Sequence, residues 1–416
     1  MRTPRACWLV VATACYHPAS QDACGISCET AACPGELVCG SNLRCHEPTA
    51  GECALATTDA TPGGRADAPS GYTCVTGRFG IQVCYPPQLA DMRGLASTID
   101  TDVMDQTDCL AVTTQTDGSQ VCVIYADSIE IATTTVRGGR PLVLFATSSI
   151  TISGLLDVSS KSTGSQIGPA ADDASCSITN DGADGTATTG AGGGAGGSFG
   201  GTGGAGGDGG GNGMNAGGAT AQQARTKPTT LRGGCAGGRG GADSNSTAGT
   251  GGNGGGAVYL WTPGTGTIAI NGKINASGAG GAAGTTNTDE GGGGGGSGGM
   301  IVLDAGTLTM MVGATLIADG GGGGGGGLRN GVTTDQSSGL DPDPALPGAG
   351  ALGGNATGGG TGGAGSTSAT PPDGRPGHSA NIAMFDGGGG GGGGGGYILM
   401  SPVAINGTSV SPPSQP

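Results

Sequence analysis

Short apolar segments recur through the second half of the chain, and each directly follows a run of glycines. Glycines at 254–256, 298–299 and 387–396 lead into the segments VYLW at 258–261, MIVL at 300–303 and YILM at 397–400. Glycine loses more backbone entropy on folding than any other residue and buries no side chain. We therefore expect the apolar segments to anchor the fold, which favours a repetitive scaffold over an ordinary enzyme.

Four related blocks carry these segments. Block A spans 142–158, block B 258–276, block C 300–318 and block D 397–407. Blocks B and C align without a gap at an offset of 42 residues, and blocks B and D share the phrases IAING and VAING. Such internal repetition is typical of solenoids, in which each repeat buries its apolar face against the next.

The middle segment of each block alternates apolar and small polar residues, which predicts a β-strand with one buried face. Strands this short are not stable alone, so they must stack in layers. We therefore predict an all-β fold built as a right-handed parallel β-helix or a related solenoid. Ile129, Ile131 and Val136 are expected to add a turn before block A.

Long glycine-rich inserts separate the blocks, at 163–255, 279–299 and 320–396. The sequence leaves two possibilities for these inserts. One is that they are disordered, and the other is that they pack as polyglycine II, a threefold extended helix without internal hydrogen bonds. Only glycine would let such rods approach closely enough for contacts between their backbones.

Composition narrows the functional classes. Hydrophobic residues make up 35% of the chain and aromatic residues 3%, so large core side chains are scarce. The net charge is −15 with only three lysines, which leaves no basic patch for a nucleic acid. The acidic balance fits an exported protein.

The N-terminus predicts a signal peptide over residues 1–14. Two arginines precede an apolar stretch at 6–14, and Ala12-Thr13-Ala14 fits a secretory cleavage site. With Cys15, this site resembles the lipobox of bacterial lipoproteins, although the family prefers Leu where this chain has Ala12. The resemblance implies lipidation of Cys15 and, with Tyr16 following it, sorting to the outer membrane. Plain secretion and an unprocessed N-terminus are the alternatives.

The cysteines also indicate export. Removing Cys7 with the signal and Cys15 as the lipid acceptor leaves an even set, which in an exported protein indicates disulfides. The candidates are Cys24, Cys28, Cys33, Cys39, Cys45, Cys53, Cys74, Cys84, Cys109, Cys122, Cys176 and Cys235. Zinc is the rival ligand, but C-x2-C pairs are missing from the sequence. We therefore expect no metal and no cofactor.

These observations divide the chain. Residues 15–53 form a Cys-rich module whose segment CPGELVCG at 33–40 resembles small extracellular disulfide modules, residues 54–71 a linker, and residues 126–416 the glycine-rich solenoid. Residues 72–125 are expected to hold two β-hairpins, the second around Asp117-Gly118. Cys74 with Cys84 and Cys109 with Cys122 are placed to close these hairpins, and Cys176 with Cys235 to staple the first insert.

Residues 130–416 resemble the glycine-rich repeat regions of bacterial surface proteins, including the glycine-rich domain of the mycobacterial PE-PGRS family and glycine-rich lipoproteins of predatory and soil bacteria. The PE-PGRS head domain is missing from the sequence, so that family's export and host-interaction properties do not carry over. The resemblance implies a surface location and a structural or adhesive role.

Residues with catalytic or binding chemistry are few. Asp100, Asp102, Asp105 and Asp108 form an acidic cluster that suits a solvated loop better than a calcium site. Tyr259, Trp261 and Tyr397 are the candidates for stacking on a ligand such as a sugar, with packing at the edge of the solenoid as the alternative. A row of Thr151, Thr267 and Thr309 at equivalent positions would suit a glycan or ice surface.

We therefore predict a non-enzymatic, lipid-anchored protein of the outer membrane or cell surface, with no catalytic residues. Its expected partners are the bilayer, surface glycans and other envelope proteins. One alternative is a β-helix polysaccharide-active enzyme, which needs acidic or basic side chains converging on a cleft. Asp157, Lys273, Asp304 and Asp319 are its only candidates in the blocks. The other alternative is a glycan- or ice-binding module.

Overall fold

The computed structural model describes residues 38–39, 45–46, 71–176, 180–211, 216–242, 248–285, 288–329, 336–368, 372–381, 385–401 and 409–415. The chain divides into two compact units, Met1–Ala66 and Asp67–Pro416. In the first unit, strands β1 (Val38–Cys39) and β2 (Cys45–His46) pair antiparallel.

The described residues of the second unit are all β, with no α-helix and only short 3-10 turns at Arg78–Gly80 and Ala174–Cys176. The strands are β3 (Thr73–Thr76), β4 (Gln82–Tyr85), β5 (Met92–Gly94), β6 (Thr98–Asp100), β7 (Ala111–Thr114), β8 (Gln120–Arg137), β9 (Leu142–Asp157), β10 (Ala257–Ile270), β11 (Lys273–Asn275), β12 (Met300–Met310), β13 (Thr315–Ile317), β14 (Tyr397–Ser401) and β15 (Ser409–Ser411).

The strands of blocks A to D stack in parallel and form a nearly closed sheet. One path runs β8, β9, β10, β12, β14, and the other runs β9, β11, β13, β15. The long strand β9 belongs to both paths because its first part pairs with β10 and its last part with β11. Ile129 and Ile131 pair with Ile150 and Ile152, so β8 supplies the further turn before block A.

The register differs from the uniform offset of 42 residues predicted between blocks B and C. Ile274 pairs with Leu316 at that offset, but Val258 pairs with Ile301 and Ile268 with Leu308. The cause is the corner between the first two strand segments. Four residues separate Thr262 from Thr267 in block B, whereas one separates their partners in block C.

The predicted threonine row is therefore wrong. Thr151 pairs with Ala269, and Ala269 pairs with Thr309. Thr267 lies two positions away along β10, opposite Ser149 and Thr307. A longer corner in block B shifts its threonine out of this column, so Thr151, Thr267 and Thr309 do not form one row.

The first strand segments of the blocks are buried on both faces. Leu142, Leu144 and their equivalents face an inner core enclosed by the sheet. Val143, Phe145 and their equivalents face a second core, which is covered by the β3–β4 hairpin and by Phe199 and Leu231 of the first insert. Alternate residues of a strand point to opposite faces, so near-continuous apolar segments are what this double burial requires.

The glycine-rich inserts run as extended segments, here called rods, that hydrogen-bond to one another through their backbones. The rod at 387–396 has six neighbours. Successive N–H groups donate in turn to three of them, and successive carbonyls accept from the other three. The acceptors lie in 318–327, 191–197 and 372–378, and the donors in 292–298, 360–366 and 201–207.

Such packing explains the ten consecutive glycines. A Cβ built on Gly391 would lie 2.1 Å from the carbonyl oxygen of Gly204, and one on Gly392 would lie 1.9 Å from that of Ala364. Real Cβ atoms do not approach backbone oxygens so closely. Rods at the margin admit side chains at outward positions, as at the exposed Arg375 and His378.

Aspartate side chains accept hydrogen bonds from several of the rod N–H groups in place of a backbone carbonyl. Asp172 accepts from Gly254 N at 2.8 Å, and Asp373 accepts from Thr202 N at 2.7 Å. The same arrangement recurs at three other positions, where Asp181, Asp184 and Asp341 accept from the backbone N–H groups of Arg239, Ala242 and Gly280. These aspartates therefore satisfy backbone donors at partly buried and exposed positions of the bundle.

Three disulfides hold the second unit together, and they are the three pairs predicted there. Cys74 is joined to Cys84 across the β3–β4 hairpin, and Cys109 to Cys122 next to the β7–β8 hairpin. Cys176 is joined to Cys235 within the first insert. Structural disulfides form in oxidising environments, which indicates an extracytoplasmic compartment.

We expect Gly391→Ala to destabilise the protein by at least roughly 2 kcal/mol, because its methyl group must displace the backbone of a neighbouring rod. Gly217→Ala is the matched control, since nothing lies within 4 Å of a Cβ there. Its stability should stay within about 1 kcal/mol of the wild type. Urea denaturation measures both, and equal effects at the two positions would contradict the packing.

The buried carboxylates predict a pH dependence. Burial raises the pKa of Asp319 to about 6, and likewise that of Asp172 to about 6. Above pH 6 each is ionised at a cost of roughly 2–3 kcal/mol, and this cost disappears as the pH falls towards the unfolded value near 4. Their contribution therefore makes the fold more stable at pH 5 than at pH 7.5.

Asp319→Asn tests this dependence, because an amide can keep both contacts, donating to Ser411 Oγ and accepting from Gly348 N. The variant should be more stable than the wild type at pH 7.5, and the difference should shrink by pH 5. Urea midpoints at the two pH values measure it. A difference that does not change with pH would refute a raised pKa at this position.

Candidate functional site

The aromatic residues predicted to stack on a ligand are buried in the second core. Tyr259 is 0% exposed, Trp261 6% and Tyr397 4%. Tyr259 stacks on Trp261 with 5.9 Å between ring centroids, and Phe199 packs edge-on against Tyr397 at 5.1 Å. Protein rings thus occupy these faces, so the ligand-stacking prediction is corrected in favour of its alternative, packing.

The hydroxyl of Tyr259 connects the β3–β4 hairpin to the sheet. It accepts from Arg78 N at 3.2 Å and donates to Asp304 Oδ2 at 3.1 Å, while Arg78 Nε lies 3.6 Å from the same carboxylate. Burial raises the pKa of Tyr259, so the phenol remains a donor at physiological pH. These contacts fix the hairpin over the second core.

An accessible aromatic surface lies beside this hairpin. We call it the tyrosine groove, a cavity of about 530 Å³ lined by Tyr85, Pro87, Gln88, Leu89, Asp91, Asp127 and Thr147. Pro87, Gln88 and Asp91 are exposed, and Tyr85 is half-buried. The groove thus combines apolar ring surface with hydrogen-bonding groups.

Backbone contacts to β8 position the groove. Its rim is the segment between β4 and β5, which begins after Tyr85. Asp127 N donates to Ala90 O at 2.9 Å and Ser128 N donates to Asp91 O at 3.1 Å. The Tyr85 ring packs against Phe145 with 5.1 Å between centroids. A rigid sheet therefore supports both walls.

Asp127 is the most firmly held polar group of the groove. Its Oδ1 accepts from Thr147 Oγ1 at 2.6 Å and from Ser148 Oγ at 2.7 Å. These hydrogen bonds lower the pKa of Asp127, so the carboxylate stays ionised and accepting at neutral pH. Asp91 adds a second, exposed carboxylate on the rim.

A second cavity of about 250 Å³ lies between the β7–β8 turn and the first insert and includes Arg140, Asp173 and Arg232 in its lining. Its charged groups already pair with protein partners. Arg232 Nη1 lies 3.8 Å from Asp173 Oδ1, and Arg140 Nη1 lies 3.8 Å from Asp102 Oδ1. The arginines thus serve the fold, and this cavity ranks below the tyrosine groove as a ligand site.

Three of the four charged residues considered for an enzyme have contacts with other protein side chains. Asp157 Oδ2 lies 3.8 Å from Lys161 Nζ, Asp304 contacts Tyr259, and Asp319 accepts from Ser411 Oγ at 2.6 Å. Asp304 lies on β12 and Lys273 on β11, in different paths of the sheet.

In the acidic cluster, Asp100 pairs with Arg137 at 3.2 Å and Asp105 accepts from Thr107 N and Asp108 N. These contacts fit the predicted loop. No group of three or more histidine, cysteine or acidic side chains is arranged to hold a metal in the part of the chain that the structure describes.

Several predicted residues lie outside the described part. They are the lipidation candidate Cys15 and the disulfide candidates Cys24, Cys28, Cys33 and Cys53, while Cys39 and Cys45 are described only as members of β1 and β2. No helix among the described residues has the length and hydropathy needed to cross a membrane. No protein-family model, curated protein or solved structure matches this chain.

Sequence reasoning missed the tyrosine groove. Its residues come from three separate stretches, and nothing in their spacing connects Tyr85 with Asp127 or Thr147. The one available signal was that Tyr85 closes a disulfide-bonded strand and is followed by two prolines, which favours an exposed, rigid segment.

Tyr259→Phe should destabilise the protein by about 1–2 kcal/mol, because Arg78 N and Asp304 lose a buried partner. Amide hydrogen exchange should accelerate most in residues 73–85, since the hydroxyl fixes the hairpin. Uniform acceleration across the sheet, or no change in the hairpin, would show that the hydroxyl does not hold it.

Proposed function

We propose that this chain is a non-enzymatic protein of the cell envelope, anchored by a lipid at Cys15, which displays a β-solenoid carrying a bundle of polyglycine II rods. Its role is structural or adhesive. The proposal extends to the outer membrane or cell surface as its location, with secretion into the medium as the alternative.

The hydrogen-bonded rods carry this proposal. Polyglycine II has three residues per turn and no internal hydrogen bonds, so each rod must bond to neighbours. The rod at 387–396 repeats its acceptors every third residue, as Gly387, Gly390 and Gly393 donate to Gly327, Gly324 and Gly321. Such a bundle offers backbone packing rather than convergent reactive side chains, which suits a scaffold.

The disulfide cross-links support a surface role. The disulfides of Cys74, Cys109 and Cys176 close the β3–β4 hairpin, the β7–β8 region and the first insert, each within its own element. Cross-links of this kind restrict the unfolded chain and suit a protein exposed to the exterior. Because the tyrosine groove is accessible and combines ring surface with hydrogen-bonding groups, glycan binding is a stronger second candidate than catalysis.

Cys15→Ser tests the anchor. In the native host, the wild type should incorporate labelled palmitate and sediment with membranes, and the variant should do neither, because serine lacks the thiol that accepts the lipid. Cys7→Ser is the matched control and should behave like the wild type. Membrane association without label in both the wild type and Cys15→Ser would refute lipid anchoring.

A further inference from the structure

We propose that the tyrosine groove binds a neutral oligosaccharide, and that this contact gives the displayed protein its adhesive partner. The inference rests on the proposed surface function and names the ligand class and site that this function would use. The site differs from the one predicted from the sequence, because Tyr259, Trp261 and Tyr397 are buried whereas the groove is accessible.

The size and position of the groove suit a polymer. A volume of about 530 Å³ lies within the roughly 300–1,000 Å³ typical of small-ligand sites. Its rim residues Pro87, Gln88 and Asp91 are exposed, so a longer ligand can extend from the groove into solvent. An oligosaccharide fits this description, because a few of its sugar units can occupy the groove while the rest of the chain remains outside.

The apolar part of the lining suits the faces of sugar rings. Tyr85, Pro87 and Leu89 provide a platform, and the packing of Tyr85 on Phe145 holds it in place. Tyrosine combines an apolar body with a polar tip, which matches a sugar's C–H face and hydroxyl rim.

The polar part of the lining suits sugar hydroxyls. Asp91 and Asp127 accept hydrogen bonds, whereas Gln88 both donates and accepts. The Thr147 hydroxyl donates to Asp127, which leaves its oxygen to accept from a ligand. A site that pairs with hydroxyls discriminates strongly against ligands that lack them.

Charge selects neutral sugars over acidic ones. The lining contains two carboxylates and neither lysine nor arginine. A uronate, sialate or sulfate group would therefore meet like charge without a compensating cation. The groups are also fixed before binding, since Asp127 is held by Thr147 and Ser148, which reduces the entropy cost of binding.

The test uses the full chain carrying Cys15→Ser, which stays soluble if the lipid is the anchor and is otherwise extracted in detergent. It is titrated calorimetrically with neutral hexasaccharides of glucose, mannose, xylose and N-acetylglucosamine, with oligogalacturonate as the acidic comparison. We expect binding of at least one neutral hexasaccharide and at least tenfold weaker binding of oligogalacturonate.

Three variants locate the site. Gln88→Ala changes an exposed side chain and should weaken binding several-fold without altering the melting temperature. Tyr85→Leu should weaken it at least tenfold, whereas Tyr85→Phe, which keeps the ring, should retain most of it. Asp127→Asn should weaken binding, while Asp105→Asn, a change at a hydrogen-bonded carboxylate outside the groove, should leave binding unchanged.

Failure to bind any neutral hexasaccharide at millimolar concentration would overturn the proposal, as would binding that is insensitive to both Gln88→Ala and Tyr85→Leu. Binding of spermidine or choline at the groove without sugar binding would also overturn it, by showing that the carboxylates select a cation. These outcomes are separate from the palmitate experiment, which can succeed or fail independently of sugar binding.

Discussion

The close approach of glycine backbones is the constraint on which the second unit depends. The glycines of the rods lack the side chains that usually keep backbones apart. Their N–H groups therefore reach carbonyl oxygens of neighbouring rods at 2.6–3.2 Å. A rod can have neighbours on all sides only where it lacks side chains, because a Cβ on an internal rod would collide with the backbone of a neighbouring rod. The bundle is therefore held by many hydrogen bonds of modest individual value, and the buried Phe199 and Leu231 of the first insert belong to the second core.

The sheet provides what the rods lack. Parallel strands lie about 4.8 Å apart and have apolar side chains on both faces, so they fix the spacing and direction of the chains that enter the bundle. The hydrogen-bond ladder crosses the junction without a break, since Met300 N donates to Gly256 O and Tyr397 N donates to Gly299 O. The two cores thus align the rods, and aspartate side chains accept some of the N–H groups that no backbone carbonyl reaches.

The sequence indicated those features that local patterns encode. The apolar blocks, the parallel stacking of their strands and the disulfides of Cys74, Cys109 and Cys176 all followed from spacing and alternation. The register did not, because the longer corner between Thr262 and Thr267 cannot be recognised by matching blocks. The burial of Tyr259 and Trp261 depends on a hairpin some 180 residues away in sequence, as the contact between Arg78 and Tyr259 shows. The tyrosine groove was missed for the same reason, since long-range packing brings its walls together.

The threefold repeat of the rods sets a rule for changes in length. Inserting a single glycine within residues 387–396 would turn every following N–H by a third of a revolution and direct it towards the wrong neighbour. Inserting three would restore the direction and move the added residues towards a rod end. A rod can therefore lengthen by whole turns of three residues, while the sheet keeps its direction unchanged.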